Sequence, residues 1–483
     1  MVDTGEFDMS RVQILVILGS TGTGKSRLGI ELARKFSGEI ISADSMQVYQ
    51  GLDIITAKVT QEEKAMVPHH MLDVVDPLVN YCVVDYKKKA LPIMNDLVSR
   101  RKMPIIVGGT NYYIESLLWQ ILVEDPEASG NTRRHDDGHF VDRKKRECEN
   151  EADDHNKTKI ISQSFEEPPD KEECANNTYT CHKKMKFDDP IETNEALHRR
   201  LSQIDPEMAR RLHPNNRRKV IRSLEVFENH GTTLSDILKA QRSAGGSGLG
   251  GPLRFPNSLI LWLRCDQKIL DERLDKRVDA MLNAGLVEEL QNFHGRYNKQ
   301  WIKLNSSPDY TKGIFQSIGF KEFHNYLILP EDERNSEKGR ALLKQGIDDL
   351  KLVTRRYARR QQRWTMNRLI RRMDRQVPPV YELDCTNIDE WDTNVLKPAI
   401  EIVNAKLRGE TPAQKPINEN VENEKCTDSS NEEAHWCEIC EKVLIGELQW
   451  REHKNGAKHK KMMEKKKILI AAALNQTTIP SIF

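Results

Sequence analysis

Three features of the 483-residue chain predict an α/β fold built on a parallel sheet. The first is a β-branched apolar run, Val12–Leu18, that empties into Gly19-Ser20-Thr21-Gly22-Thr23-Gly24-Lys25-Ser26 and then into helically spaced apolar residues over Arg27–Phe36. The second is the recurrence of buried-strand patterns at Gly38–Ser45, Met103–Val107 and Ser258–Leu263, alternating with helical segments. The third is a spacing that stands apart from this alternation, Cys437-x2-Cys440-x12-His453-x5-His459, which reads as a small ββα zinc finger. Together they predict a P-loop NTPase-like core with a polar insertion, a basic helical C-terminal part and the finger.

Bulk properties bound the reading. Charged residues make up 30% of the chain but the formal net charge is only +1, so any affinity for nucleic acid must reside in local patches. Nine scattered cysteines argue against a disulfide framework and for a reducing compartment. No apolar run is long enough to span a bilayer, so no membrane partner is expected. Met1–Gln13, with Asp3, Glu6 and Asp8 against Arg11, is a poor signal peptide and a poor mitochondrial presequence, which makes the cytoplasm the expected location, with mitochondrial or nuclear pools open. No exposed apolar face asks for a second copy, so a monomer is expected.

Taken in order, residues 1–123 form the first part of the core. In the phosphate loop the glycines let backbone N–H groups turn inward at a helix N-terminus, Lys25 adds a positive charge, and the Ser26 hydroxyl is placed to hold Mg²⁺. The loop does not say which phosphate it holds. The second strand closes on Asp44, which serves equally as a catalytic acid or as a helix N-cap. The third closes on Gly108-Gly109-Thr110-Asn111, either a site element or a tight strand-to-helix turn. In a doubly wound sheet ligands sit at the carboxyl ends of the strands, so Lys25, Asp44 and Thr110 should converge on one crevice. A kinase or ATPase would end the third strand in a metal-binding acid. This one ends in Gly-Gly-Thr.

Residues 124–190 are rich in Asp, Glu, Lys, Asn and His and are expected to be a solvated, partly disordered insertion. Cys174, Cys181 and His182 lack a fourth ligand at regular spacing. The core resumes over 191–408. Helices are expected at Glu195–Leu212 and at Asp271–Leu290, the latter carrying Arg273 and Arg277 one turn apart. Lys351–Arg375 is a strongly basic helix, with Arg355, Arg356, Arg359, Arg360, Arg363, Arg368, Arg371 and Arg372 and with Tyr357 and Trp364 interleaved. It holds almost no acid, so contact with a phosphate backbone is favoured over salt bridging. A polar linker, 409–434, leads to the finger, 435–465, and a basic tail, 466–483. Histidines six apart do not share one face of a regular helix, so the helix must distort, and Asn455-Gly456 offers the place.

The segments GSTGTGKS, ISADSMQVYQGLDIITAK, HHMLDVVDP, IIVGGTNYYIESLL, HPNNRRKVIRSLEVF, RLDKRVDAML, FQSIGFKEF and TRRYARRQQRW occur in the order seen in tRNA dimethylallyltransferases, which the chain resembles over residues 12–408 apart from the insertion. The added C2H2 finger of the matrin type is similar to that of eukaryotic members. The resemblance implies transfer of a dimethylallyl group from dimethylallyl diphosphate to the exocyclic amine of an adenosine at tRNA position 37, with the phosphate loop (Gly19–Ser26) holding the diphosphate. It implies that Asp44 is the general base, that Arg277 binds diphosphate, and that Thr21 and Thr110 lie at the reaction centre and the channel between substrates. Ser45, Met46 and Gln47, beside Asp44, match positions that touch the target base, and Gln316, Lys321 and the basic helix (Arg356, Arg360) match segments that hold the anticodon stem-loop. The rival readings are an isopentenyltransferase acting on free AMP or ATP, on which the basic helix and finger would be wasted, a small-molecule kinase, and a non-catalytic RNA-binding protein.

Overall fold

The computed structural model describes residues 11–120, 192–243, 251–303, 310, 313–371, 376–418, 434–440, 442–445 and 447–476. The expected insertion and the Cys174–His182 cluster lie outside these residues. By its contacts the chain divides into one unit of residues 1–123 and 194–483 and another of 124–193, and the first holds every described strand and helix.

The expected alternation of strand and helix is present. β1 (Ile14–Gly19) leads through the phosphate loop into α1 (Lys25–Lys35), then β2 (Glu39–Ser42), α2 (Gln61–Met66), β3 (His69–His70), α3 (Val83–Ser99), β4 (Pro104–Val107) and α4 (Asn111–Leu118). A helical arm comes next: α5 (Asn194–Ile204), α6 (Pro206–Arg211), α7 (Arg217–His230) and α8 (Leu234–Ser243). The chain then returns to the sheet as β5 (Ser258–Arg264), α9 (Gln267–Asn283), α10 (Leu286–Lys303), α11 (His324–Leu327), α12 (Glu337–Thr365), β6 (Val380–Asp384) and α13 (Lys397–Arg408). The finger is β7 (Ala434–Cys437), β8 (Lys442–Ile445), α14 (Glu447–Asn455) and α15 (Ala457–Gln476).

The sheet is six-stranded in the order β3-β2-β4-β1-β5-β6, with every neighbouring pair parallel. β1 lies near its middle, and all six of its residues are buried, as a strand covered on both faces requires. Ile14, Val16 and Leu18 face one apolar layer with Ile106 and Ile260. Leu15 and Ile17 face the other with Leu28, Leu32 and Leu261. Strand order reverses beside β1, so the loop after it opens where ligands of such folds bind.

Several expectations are corrected. Glu195–Leu212 is two helices, because Pro206 cannot continue the first and Asp205 caps the second, accepting from Met208 N at 2.9 Å. Asp271–Leu290 also breaks: Gly285 adopts φ +94° after α9, and Glu289 belongs to α10. The basic helix begins earlier than expected, at Glu337, and ends at Thr365 with a π-turn over Met366–Ile370. Its cations are not all free of acid. Lys351, Arg355 and Arg359 pair with Asp279, Asp275 and Asp271, an antiparallel ladder along α9. The acids come from another helix, so the composition of the basic run did not disclose them. The strands β3 and β6 were not anticipated. The start of the linker stretch runs along β6, where Ile417 N donates to Val380 O at 2.8 Å and Gln414 Nε2 to Glu382 O at 2.7 Å.

Candidate active site

The crevice is built on the carboxyl ends of β1, β2 and β4. The phosphate loop turns through Gly22 (φ +81°) and Gly24 (φ +86°) in the left-handed region. A Cβ on Gly24 would stand 2.7 Å from the Trp391 ring, and one on Gly22 would stand 2.8 Å from Leu274, so both residue type and backbone shape are dictated there. Trp391 itself is pinned, its Nε1 donating to Glu31 Oε2 at 2.9 Å while Arg27 lies over its ring. Within the loop, Thr23 Oγ1 donates to Ser20 O at 2.8 Å and Lys25 Nζ to the same carbonyl at 2.7 Å. The first turn of α1 has no side-chain cap, so its N–H groups remain for an anion.

Lys25, Asp44 and Thr110 do converge, and Arg277 of α9 joins them. Burial and the neighbouring Arg277 charge lower the Lys25 ammonium to about 8. Burial raises the Asp44 carboxyl above its ordinary value, against the opposing pull of the Met46 and Gln47 N–H groups and of the Lys25 and Arg277 charges. Arg277 is itself lowered by burial and sustained by Asp44. Two cations thus share one carboxylate, leaving the crevice with a net positive charge that a polyanion would satisfy. Arg273 does not join them: it donates to Cys385 O at 2.7 Å and to Thr386 O, tying α9 to the end of β6.

The turn after β2 and the turn after β4 are latched together. Ser45 N donates to Thr110 Oγ1 at 2.9 Å, Thr110 Oγ1 donates to Ser45 Oγ at 3.2 Å, and Met46 N donates to Asp44 Oδ1 at 2.9 Å. Gln47 is committed to the fold, its Nε2 donating to the carbonyls of Thr56 and Ala57 and its Oε1 accepting from Ser42. That loop is anchored from α10, where the Glu289 carboxylate accepts from Ile54 N and Ile55 N at 2.8 and 2.9 Å. Gln316 and Lys321 are exposed, and no contact joins them to the crevice among the described residues. Arg356 and Arg360 are exposed on α12, Arg360 over the Tyr357 ring.

Sequence reasoning missed Tyr357 and Gln361 as site residues; both reach the crevice from the basic helix. The signal was present as the stripe Ala358, Gln361, Thr365 at helical spacing within the arginine run, and all three are buried.

In the finger, His459 Nδ1 lies 3.5 Å from both Cys437 Sγ and Cys440 Sγ and 3.1 Å from His453 Nε2. These separations lie close to the ~3.3–3.8 Å edges of a tetrahedral site with thiolate and imidazole ligands, and all four ligand atoms fall within 4.8 Å of one another, so the donor set suits Zn²⁺. The helix breaks at Gly456 between the two histidines, as their spacing requires.

The IPP transferase family model matches residues 47–163 and 158–368, and that of the zinc-finger of C2H2 type matches 435–459. A tRNA dimethylallyltransferase of Mus musculus is 46% identical over 468 residues, covering 96% of this chain and 88% of its own length. The chain belongs to the IPP transferase family. A second family member, the tRNA dimethylallyltransferase of Saccharomyces cerevisiae, is 30% identical over 95% of this chain and 94% of its own. Among solved structures, a eukaryotic dimethylallyltransferase acting on tRNA superposes with a TM-score of 0.66 at 27% identity, covering 96% of this chain and 99% of that one. Likeness to these IPP transferases therefore takes in nearly the whole chain.

Proposed function

We propose that this chain transfers the dimethylallyl group of dimethylallyl diphosphate to N6 of adenosine 37 in tRNA, releasing diphosphate. The observation that carries the reading is the pairing of one raised carboxylate, Asp44, with two buried cations, Lys25 and Arg277, at the mouth of a phosphate loop. An adenine amine is a weak nucleophile, and Asp44 takes its proton as the N–C bond forms. The allylic carbon departs from diphosphate only if the charge developing on the leaving group is met, and the loop N–H groups, Lys25 and Arg277 supply that complement. Thr21, in the phosphate loop, and Thr110, at the end of β4, would line the path from the diphosphate to the target amine. The Ser26 hydroxyl, exposed at the head of α1, fits Mg²⁺, which when bound neutralises part of the diphosphate charge. The target base must leave its stack to reach Asp44, which is easiest in an anticodon loop. Ser45 and Met46 border its entry, and Arg356 and Arg360 suit its phosphates.

The test supplies radiolabelled dimethylallyl diphosphate and Mg²⁺ to an anticodon stem-loop and, in parallel, to free AMP. Label in the stem-loop alone, lost in Asp44→Ala, supports the reading. Label in AMP assigns the mononucleotide reaction, and label in neither leaves an RNA-binding protein.

A further inference from the structure

Helix α12 carries the exposed arginines on one face, and its other face is keyed into both walls of the crevice. Ser20 Oγ donates to Ala358 O at 2.9 Å, and Ala358 is small enough to allow that approach. Three residues on, the buried Gln361 side chain bridges the two walls. Its Oε1 accepts from Thr21 N, in the phosphate loop, at 2.8 Å, and its Nε2 donates to Gly109 O, at the end of β4, at 3.1 Å. Only this orientation of the amide pairs both ends. Tyr357, one turn earlier, sets its hydroxyl beside Gln361 and Thr110 and in the field of Asp44. Gly109 is shaped to the bridge: a Cβ there would fall 2.2 Å from Gln361 Nε2. A buried amide is costly unless both ends are used, and here both are.

We propose that Gln361, supported by Tyr357, is a positioning residue for the transfer: it sets the distance between the phosphate loop, which holds the leaving group, and the Gly109-Thr110 turn, which latches the Asp44–Ser45 segment. The proposal rests on the transferase reading. Gln361 touches neither reacting atom. It acts through Thr21 on one side and Thr110 on the other, from the same helix whose outer face meets the RNA.

Gln361→Glu tests this with the acceptor for Thr21 N retained. An ionised Glu turns a second acceptor toward Gly109 O and drives the walls apart, whereas its protonated form restores a donor at that place. The expected result is a kcat about 10²-fold below wild type at pH 8, on the scale of a 1 Å misplacement. KM for the stem-loop should stay within about twofold, because the arginine face is untouched. The variant-to-wild-type ratio of kcat should rise at least about fivefold as pH falls to 6, because protonation of the introduced carboxylate restores the donor to Gly109 O; Gln361→Met, which cannot titrate at this place, should show no such rise. Tyr357→Phe, which keeps the ring, should lower kcat about fivefold with KM unchanged and no pH dependence of the ratio; it carries the test if Gln361→Glu fails to fold. A ratio for Gln361→Glu that is flat with pH, or a loss seen in KM alone, overturns the proposal, as does a fully active Tyr357→Phe where that variant stands in. A wild-type protein that transfers nothing overturns the parent reading and this inference with it, an outcome distinct from an active wild type with a flat ratio.

Discussion

The crevice is walled by a six-stranded parallel sheet, by α9 and by α12, and its polar groups are held by contacts within the chain: Lys25 on Ser20 O, Thr110 on Ser45, Gln361 across both walls. The finger is a two-stranded hairpin and a broken helix, in which Trp450 stacks on His435 and His453. Its four ligand atoms lie within 4.8 Å of one another. The difference is one of where organisation comes from. The crevice inherits its shape from buried β-branched strands. In the finger, two thiolates and two imidazoles are gathered at one point, so metal binding there is coupled to folding.

The largest effect that sharpens this contrast is chemical. Asp44→Ala should lower transfer to the stem-loop by about 10²–10⁴-fold while the melting curve stays near wild type, since a raised carboxyl gives the fold little that its loss would remove. A collapse of stability in that variant would mean the crevice is held by its charges and not by the sheet.

Zinc removal probes the other side. A chelator should abolish hydrogen-exchange protection over 434–459 and leave the amides of β1 and β4 protected. Loss of protection in β1 as well would show that finger and sheet unfold as one cooperative body.

The pH dependence of kcat/KM should be bell-shaped. Asp44 works unprotonated, so the rate falls as pH drops through its raised value, above the usual 3.8. Lys25 works protonated, so the rate falls again as pH rises through about 8. Each limb approaches tenfold per pH unit. Lys25→Arg, charged throughout this range, should erase the alkaline limb; a limb that persists belongs to another group.

Much of this was legible in the chain itself, for physical reasons that differ by region. The phosphate loop announces itself because its glycines, lysine and serine sit at fixed spacing between a buried run and a helix. Asp44 and Thr110 are read from strand ends because a parallel sheet puts all such ends on one edge. The finger is read from ligand spacing, down to the helix break at Gly456. What stayed hidden depends on partners distant in sequence. β6 is five residues long and pairs with β5 across more than a hundred residues. Gln361 meets Thr21 across 340 positions, and its neighbours Arg359 and Arg360 mask it in any compositional view. Glu289 reads as one more helical acid until Ile54 and Ile55 are seen to donate to it.

The smallest effect separates the two populations of arginine on α12, which composition alone treats as one. Arg355 and Arg359 face α9 and are met by Asp275 and Asp271, whereas Arg356 and Arg360 face solvent. Only an uncompensated cation releases counterions from RNA when it binds, so Arg356→Ala and Arg360→Ala should each reduce the slope of log affinity against log salt by about 0.7–0.9 and weaken stem-loop binding a few-fold at moderate salt. Arg355→Ala should leave that slope unchanged and cost at most ~1 kcal/mol of stability, because its ion pair is partly solvated. If Arg355→Ala lowers the slope as much as Arg356→Ala does, the ladder to α9 opens when RNA arrives. The acids of α9 would then act as a surrogate for the phosphate backbone, and α12 would present both of its charged faces to the stem.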